Sequence, residues 1–145
     1  MKETIRYKRT VRILSAIIFI LALVTASVPG ILAIMRRADA QVALGNAKSL
    51  RMALQAASVE AYGTGHFFCD ASGEGGVTEE VWKKVITDSK VPGDFWVLQT
   101  DESGYEVQQF CYREGDFLVY YCSEPLTYEV YYQHAFIKTK QGAVY

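Results

Sequence analysis

The chain is poor in the residues that carry chemistry. It has two histidines, His66 and His134, in 145 residues. No G-x-S-x-G, Walker A or H-E-x-x-H pattern occurs, so the motif-borne hydrolase, P-loop and zinc-peptidase chemistries have no support. No motif places a nucleophile or carboxylate beside either histidine, so no catalytic site and no cofactor is expected. The three cysteines, Cys69, Cys111 and Cys122, include no C-x-x-C pair, which leaves zinc and thioredoxin-like sites unsupported. No internal repeat or low-complexity segment occurs.

The most telling absence is of charge. Ile13 to Met35 is a run of 23 residues without a charged side chain. A bilayer core of about 30 Å needs about 20 helical residues, so this run is long enough to span. A core helix apolar on all sides would be out of place in so small a protein. Charge is also unevenly placed around the run. Residues 1–62 hold nine Lys/Arg against three Asp/Glu, and residues 63–145 hold six against thirteen. Lys2, Arg6, Lys8, Arg9 and Arg12 precede the run, and only Arg36 and Arg37 follow it closely. The positive-inside rule therefore places the N-terminus in the cytoplasm and residues after the span outside. These basic residues are juxtamembrane, which suits anionic lipid rather than nucleic acid.

Four stretches follow: a basic cytoplasmic stub over 1–12, a transmembrane segment over 13–35, an amphipathic helix over 36–62, and an extracytoplasmic part over 63–145. In the third, Ala43, Ala47, Leu50, Leu54, Ala57 and Ala61 recur at alternating spacings of four and three. They form a continuous seam on one helix face, with Lys48, Arg51 and Glu60 off it. Gly63, Thr64 and Gly65 end the helix. A glycine-rich loop fills 66–77. Thr78 then caps a short helix to about Ser89, with Glu79 and Glu80 in its first turn. Four antiparallel strands are expected after it: 95–100, 105–113, 117–122 and 126–135, with turns at "DESG" and "EGD". In the last strand Leu126, Tyr128, Val130 and Tyr132 share one face. His134 continues that face as a packed or edge residue.

Three accounts fit the stretch "ALVTASVPGILAIMRRADAQ". A secretory signal would be cut before Ser27 or Gln41, but the apolar run continues past the usual signal core. A plain anchor tolerates Pro29 and Gly30 without using them. In the third account, span and amphipathic segment form one helix of about 50 residues, bent near the proline. The order of parts is a short basic leader, an apolar helix with proline in its later part, "RRADAQVALGNAKSLRMALQAASVEAYG", a loop and a small meander. That order resembles type IV pilins and the pseudopilins of type II secretion and competence systems. The resemblance covers most of the chain and is strongest over 26–63.

The resemblance implies an α+β fold, with a long N-terminal helix packed on a four-stranded antiparallel meander. It implies a structural filament subunit, a minor pilin or pseudopilin, that bundles with other pilin-like subunits through its helix. Pro29 and Gly30 would loosen the helix where it bends. Ala43, Ala47, Leu50 and Leu54 are the expected assembly or packing residues. Two family features differ. The family leader ends in glycine, and a glutamate stands at the fifth mature position. Here no glycine precedes Gly30, and counting back from Pro29 puts Arg12 at the glutamate's place. An arginine there snorkels to the membrane surface instead of pairing with a neighbour's amine. The alternative is a non-assembling single-span protein whose external domain binds a partner or ligand.

Three smaller features remain. Asp70, Ser72, Glu74, Gly75 and Thr78 match positions 1, 3, 5, 6 and 9 of a calcium loop, but position 12 is Val81, so no metal is expected. Three cysteines allow one disulfide, with the pairing open. With a two- or three-residue turn, Cys111 faces Leu118 or Val119, and Cys122 faces Val107 or Gln108. The two are then offset too far along their hairpin for a bridge, so Cys69 is the better partner of either. Three buried thiols are the other expectation. Ten tyrosines, mostly in the sheet, suit strands and also suit a sugar- or protein-binding face.

Overall fold

The computed structural model describes residues 2–137 and shows an α+β fold with a long N-terminal helix and a five-stranded antiparallel sheet. Two compact units divide the chain, Met1–Arg36 and Arg37–Tyr145. Helix α1 is Lys2–Thr64 and passes through Pro29 without interruption. In the first unit, proline removes one backbone donor. The turns before it carry extra bonds from hydroxyls to the helix's own carbonyls. Thr25 Oγ1 donates to the Leu21 and Ala22 oxygens at 3.0 Å, and Ser27 Oγ donates to the Leu23 oxygen at 2.8 Å. Each of these hydroxyls is therefore satisfied within the helix.

In the second unit, a 3₁₀ turn (Glu74–Gly76) leads into helix α2 (Glu79–Ser89). Thr78 sits at the N-cap, but its hydroxyl accepts no bond from the helix amides and donates instead to the Phe67 carbonyl at 3.3 Å. The sheet is a meander of β1 (Asp94–Thr100), β2 (Val107–Glu114), β3 (Phe117–Cys122), β4 (Thr127–Tyr132) and β5 (Ala135–Ile137), in the order β1-β2-β3-β4-β5. The expectation of four strands is corrected here. The stretch 126–135 is not one strand but turns back at Gln133 and His134, which hold φ of 45° and 71°. Strand β5 then pairs Val130 with Ile137 and Tyr132 with Ala135. His134 is consequently an exposed turn residue and not a continuation of an apolar face. Strand β2 also starts later than expected, because the Asp101 carboxylate takes the Tyr105 and Glu106 amides at 3.2 and 2.9 Å.

Register explains the core. Phe95, Tyr112, Val119 and Val130 line up across four strands, and Val97, Phe110, Tyr121 and Tyr128 form the next inward row. All eight are buried in one cluster with the Ala/Leu seam of α1 and with Val81 and Val85 of α2. The intervening rows face outward: Trp96, Cys111, Tyr120 and Glu129, then Arg113, Leu118, Tyr131 and Phe136. One backbone approach limits sequence choice. A side chain at Gly93 would collide with the Arg113 carbonyl, so only glycine fits there.

Candidate functional site

The first unit offers one surface. Every residue from Ile13 to Met35 is exposed, with large apolar side chains such as Phe19 and Leu21 65% and 64% accessible. The segment is long and apolar enough to cross a membrane. Pro29 and Gly30 are exposed within it, and nothing lies within 4 Å of where a Gly30 side chain would stand.

In the second unit, α1 has two faces of different use. Ala43, Ala47, Leu50 and Leu54 are at most 1% accessible. They pack inside this chain's own core and so present no free surface. Ala40, Leu44, Ala53 and Ser58 join them. Polar contacts fix this face on the sheet. Asn46 Nδ2 donates to Glu114 Oε2 at 2.7 Å, and the Tyr112 hydroxyl donates to the same oxygen at 2.8 Å. Ser58 Oγ donates to the Tyr105 carbonyl at 2.6 Å. The Arg51 guanidinium lies 4.9 Å from the Tyr121 ring centre and the Lys48 ammonium 5.6 Å from that of Tyr128, within cation–π range. Burial pushes the Tyr112 hydroxyl's pKa far upward, helped by its bond to the Glu114 carboxylate. Burial likewise raises Tyr121 and Tyr128, against the lowering effect of Arg51.

The opposite face of α1 carries a second seam. Val42, Gly45, Ser49, Met52, Ala56, Val59 and Gly63 alternate at spacings of three and four. None is charged, none is buried, and Met52 and Val59 are 64% and 73% accessible. At 100° per residue these positions stand across the helix from Leu50 and Leu54. In sequence the same spacing reads back through Ala38, Met35, Ile31, Val28, Val24, Leu21, Ile17 and Leu14. Sequence reasoning missed this seam because the Ala/Leu seam across the helix from it is more uniformly apolar. The signal itself was a heptad free of charge.

The other expected sites fall apart from one another. All three cysteines are free thiols. Cys111 stands opposite Tyr120 and Cys122 opposite Gln109. The two-residue turn at Gly115 and Asp116 sets Glu114 opposite Phe117, and counting back along both strands from that pair gives these partners, one or two residues from the expected ones. Cys69 Sγ donates to the Gly104 carbonyl at 3.4 Å, and burial raises its pKa and that of Cys111. In the loop, Asp70 Oδ1 accepts from the Ser72 amide and hydroxyl at 2.9 and 2.6 Å, which closes it on its own turn. That hydroxyl bond is the main reason the Asp70 pKa is lowered. No group of three His, Cys, Asp or Glu side chains able to hold a metal occurs among the described residues. The His66 imidazole lies 3.8 Å from the Glu80 carboxylate.

No protein-family model, curated protein or solved structure matches this chain.

Proposed function

We propose that this chain is a membrane-anchored, pilin-like structural subunit, a minor pilin or pseudopilin of a type IV pilus, type II secretion or competence-type filament. It works by helix–helix assembly. The observation that carries this reading is the two-faced second half of α1. One seam is consumed by the chain's own sheet, and the seam across from it is uncharged, heptad-spaced and uncovered. A three-four repeat is the pattern by which one α-helix packs along another. The exposed run 13–35 holds the chain in the bilayer, with the N-terminus cytoplasmic by the positive-inside rule. Copies anchored with one orientation bring their helices together in parallel. Small residues at Gly45, Ala56 and Gly63 permit close approach, and Met52 and Val59 supply contact area.

Arg12 favours a second reading, a single-span protein that does not assemble and whose external domain binds a partner. A base in place of an acid removes the pairing by which pilin-like subunits are thought to join. The pair Met52→Glu and Val59→Glu separates the two. Both side chains are exposed, so folding and membrane insertion are expected to stay unchanged. Sedimentation of mild-detergent extracts is expected to show large assemblies of the parent chain and only small species of the variant. A parent chain that sediments as a monomer would support the second reading instead.

A further inference from the structure

A cavity of about 610 Å³ opens on the outward face of the sheet, between the β2–β3 and β4–β5 turns. Ligand pockets commonly hold about 300–1,000 Å³. Its floor is aromatic. The Tyr131 ring is flanked edge-on by Tyr120 at 5.8 Å and by Phe136 at 5.6 Å. The Tyr131 hydroxyl donates to Glu129 Oε2 at 2.8 Å, which holds the ring in place. Its rim is polar: Arg113, Asp116, Gln133 and His134 all line it. The two turns are tied together, since the Gln133 amide donates to the Asp116 carbonyl at 3.2 Å and Gln133 Nε2 donates to Asp116 Oδ2 at 3.3 Å. Arg113 spends only its Nε, on the Gly115 carbonyl at 3.5 Å, so its terminal nitrogens and the His134 imidazole have no partner among the described residues. The rim is therefore built before any ligand arrives, and among the described residues it holds donors without a partner.

This chemistry selects among ligands. Among the described residues, a phosphate polymer meets one cation, Arg113, beside the carboxylates of Asp116 and Glu129, which repel it. A lipid chain would bury the polar rim without partners. An added peptide strand pairs at a sheet edge, and this groove lies on a sheet face. A sugar ring offers what the groove lacks: an apolar C–H face for an aromatic floor and a ring of hydroxyls for planar donors and acceptors. We propose that this groove binds a pyranose-containing glycan, with Tyr131 as the stacking platform and Arg113 and His134 as hydroxyl-binding groups.

The test uses the full chain in lipid nanodiscs, applied to an array of neutral and carboxylated pyranose oligosaccharides. The tightest array sugar is then titrated in solution. Binding is expected, and Tyr131→Ala and Arg113→Ala are each expected to weaken it at least tenfold. Phe67→Ala, exposed and away from this face, is expected to leave it unchanged. His134→Ala, at an exposed turn position, supplies a variant that keeps the sheet intact should Tyr131→Ala unfold. An array with no sugar bound would overturn the proposal. So would binding that survives all three groove substitutions, or a Tyr131→Ala chain that loses assembly while the parent binds no sugar, which would make the groove a subunit contact.

Discussion

Leu50 and Met52 stand two positions apart on α1 and do opposite work. Leu50 is fully buried in the core, and Met52 is 64% accessible. Truncating a buried leucine loses transfer energy and leaves a cavity. Leu50→Ala is expected to cost about 2–5 kcal/mol in urea unfolding, while Met52→Ala is expected to change stability by no more than about 0.5 kcal/mol. Equal losses would place the core elsewhere. Tyrosines give a second residue-scale check. Tyr112, Tyr121 and Tyr128 are buried and have pKa values raised above the ordinary 10.0. A raised folded pKa means that the stability from these hydroxyls is complete below pH 10.0, the unfolded value, and is lost as pH rises through the folded values. Tyrosinate absorbance is expected to rise in two phases, exposed rings first. The later phase is expected to coincide with alkaline unfolding. A single phase at the ordinary value would show these three hydroxyls in water.

Single elements show what the sequence discloses and what it withholds. The seam from Ala43 to Ala61 was legible from spacing alone, because burial on one side forces a helical period on apolar residues. Helix α2 was legible from Thr78, two acids and its apolar pairs. The fifth strand was not. Tyr131, Tyr132, Gln133 and His134 continue a two-residue alternation, and a two-residue hairpin usually announces itself with Asn-Gly or Gly. Here two non-glycine residues hold positive φ instead, at a cost that local residue preference cannot reveal. Gln133→Asn with His134→Gly is therefore expected to stabilise the fold by about 1 kcal/mol in urea unfolding. A loss of stability would show that the Gln133–Asp116 tie outweighs the strain. The groove was equally hidden. The tyrosines were visible, but the row that joins Arg113, Leu118, Tyr131 and Phe136 depends on the registers of three successive strand pairs, the first set by the turn at Gly115 and Asp116 and the last by the turn at Gln133 and His134.

Across the whole molecule, the helix long and apolar enough to cross a membrane was the most legible part, since it rests on 23 residues without charge. On the proposed reading, the charge split between residues 1–62 and 63–145 would give it a direction. Which face of α1 stays uncovered was not legible, because two seams share one helix and only burial tells them apart. The central claim is that α1 meets α1 along Val42, Met52 and Val59. Cysteine crosslinking in native membranes tests it most directly. Cys69, Cys111 and Cys122 would be replaced by serine, and single cysteines introduced by Val42→Cys, Met52→Cys, Gln55→Cys and Val59→Cys. Mild oxidation is expected to give disulfide-linked dimers at Val42, Met52 and Val59 and few at Gln55. Dimers at none of these positions, or at all four alike, would contradict the account.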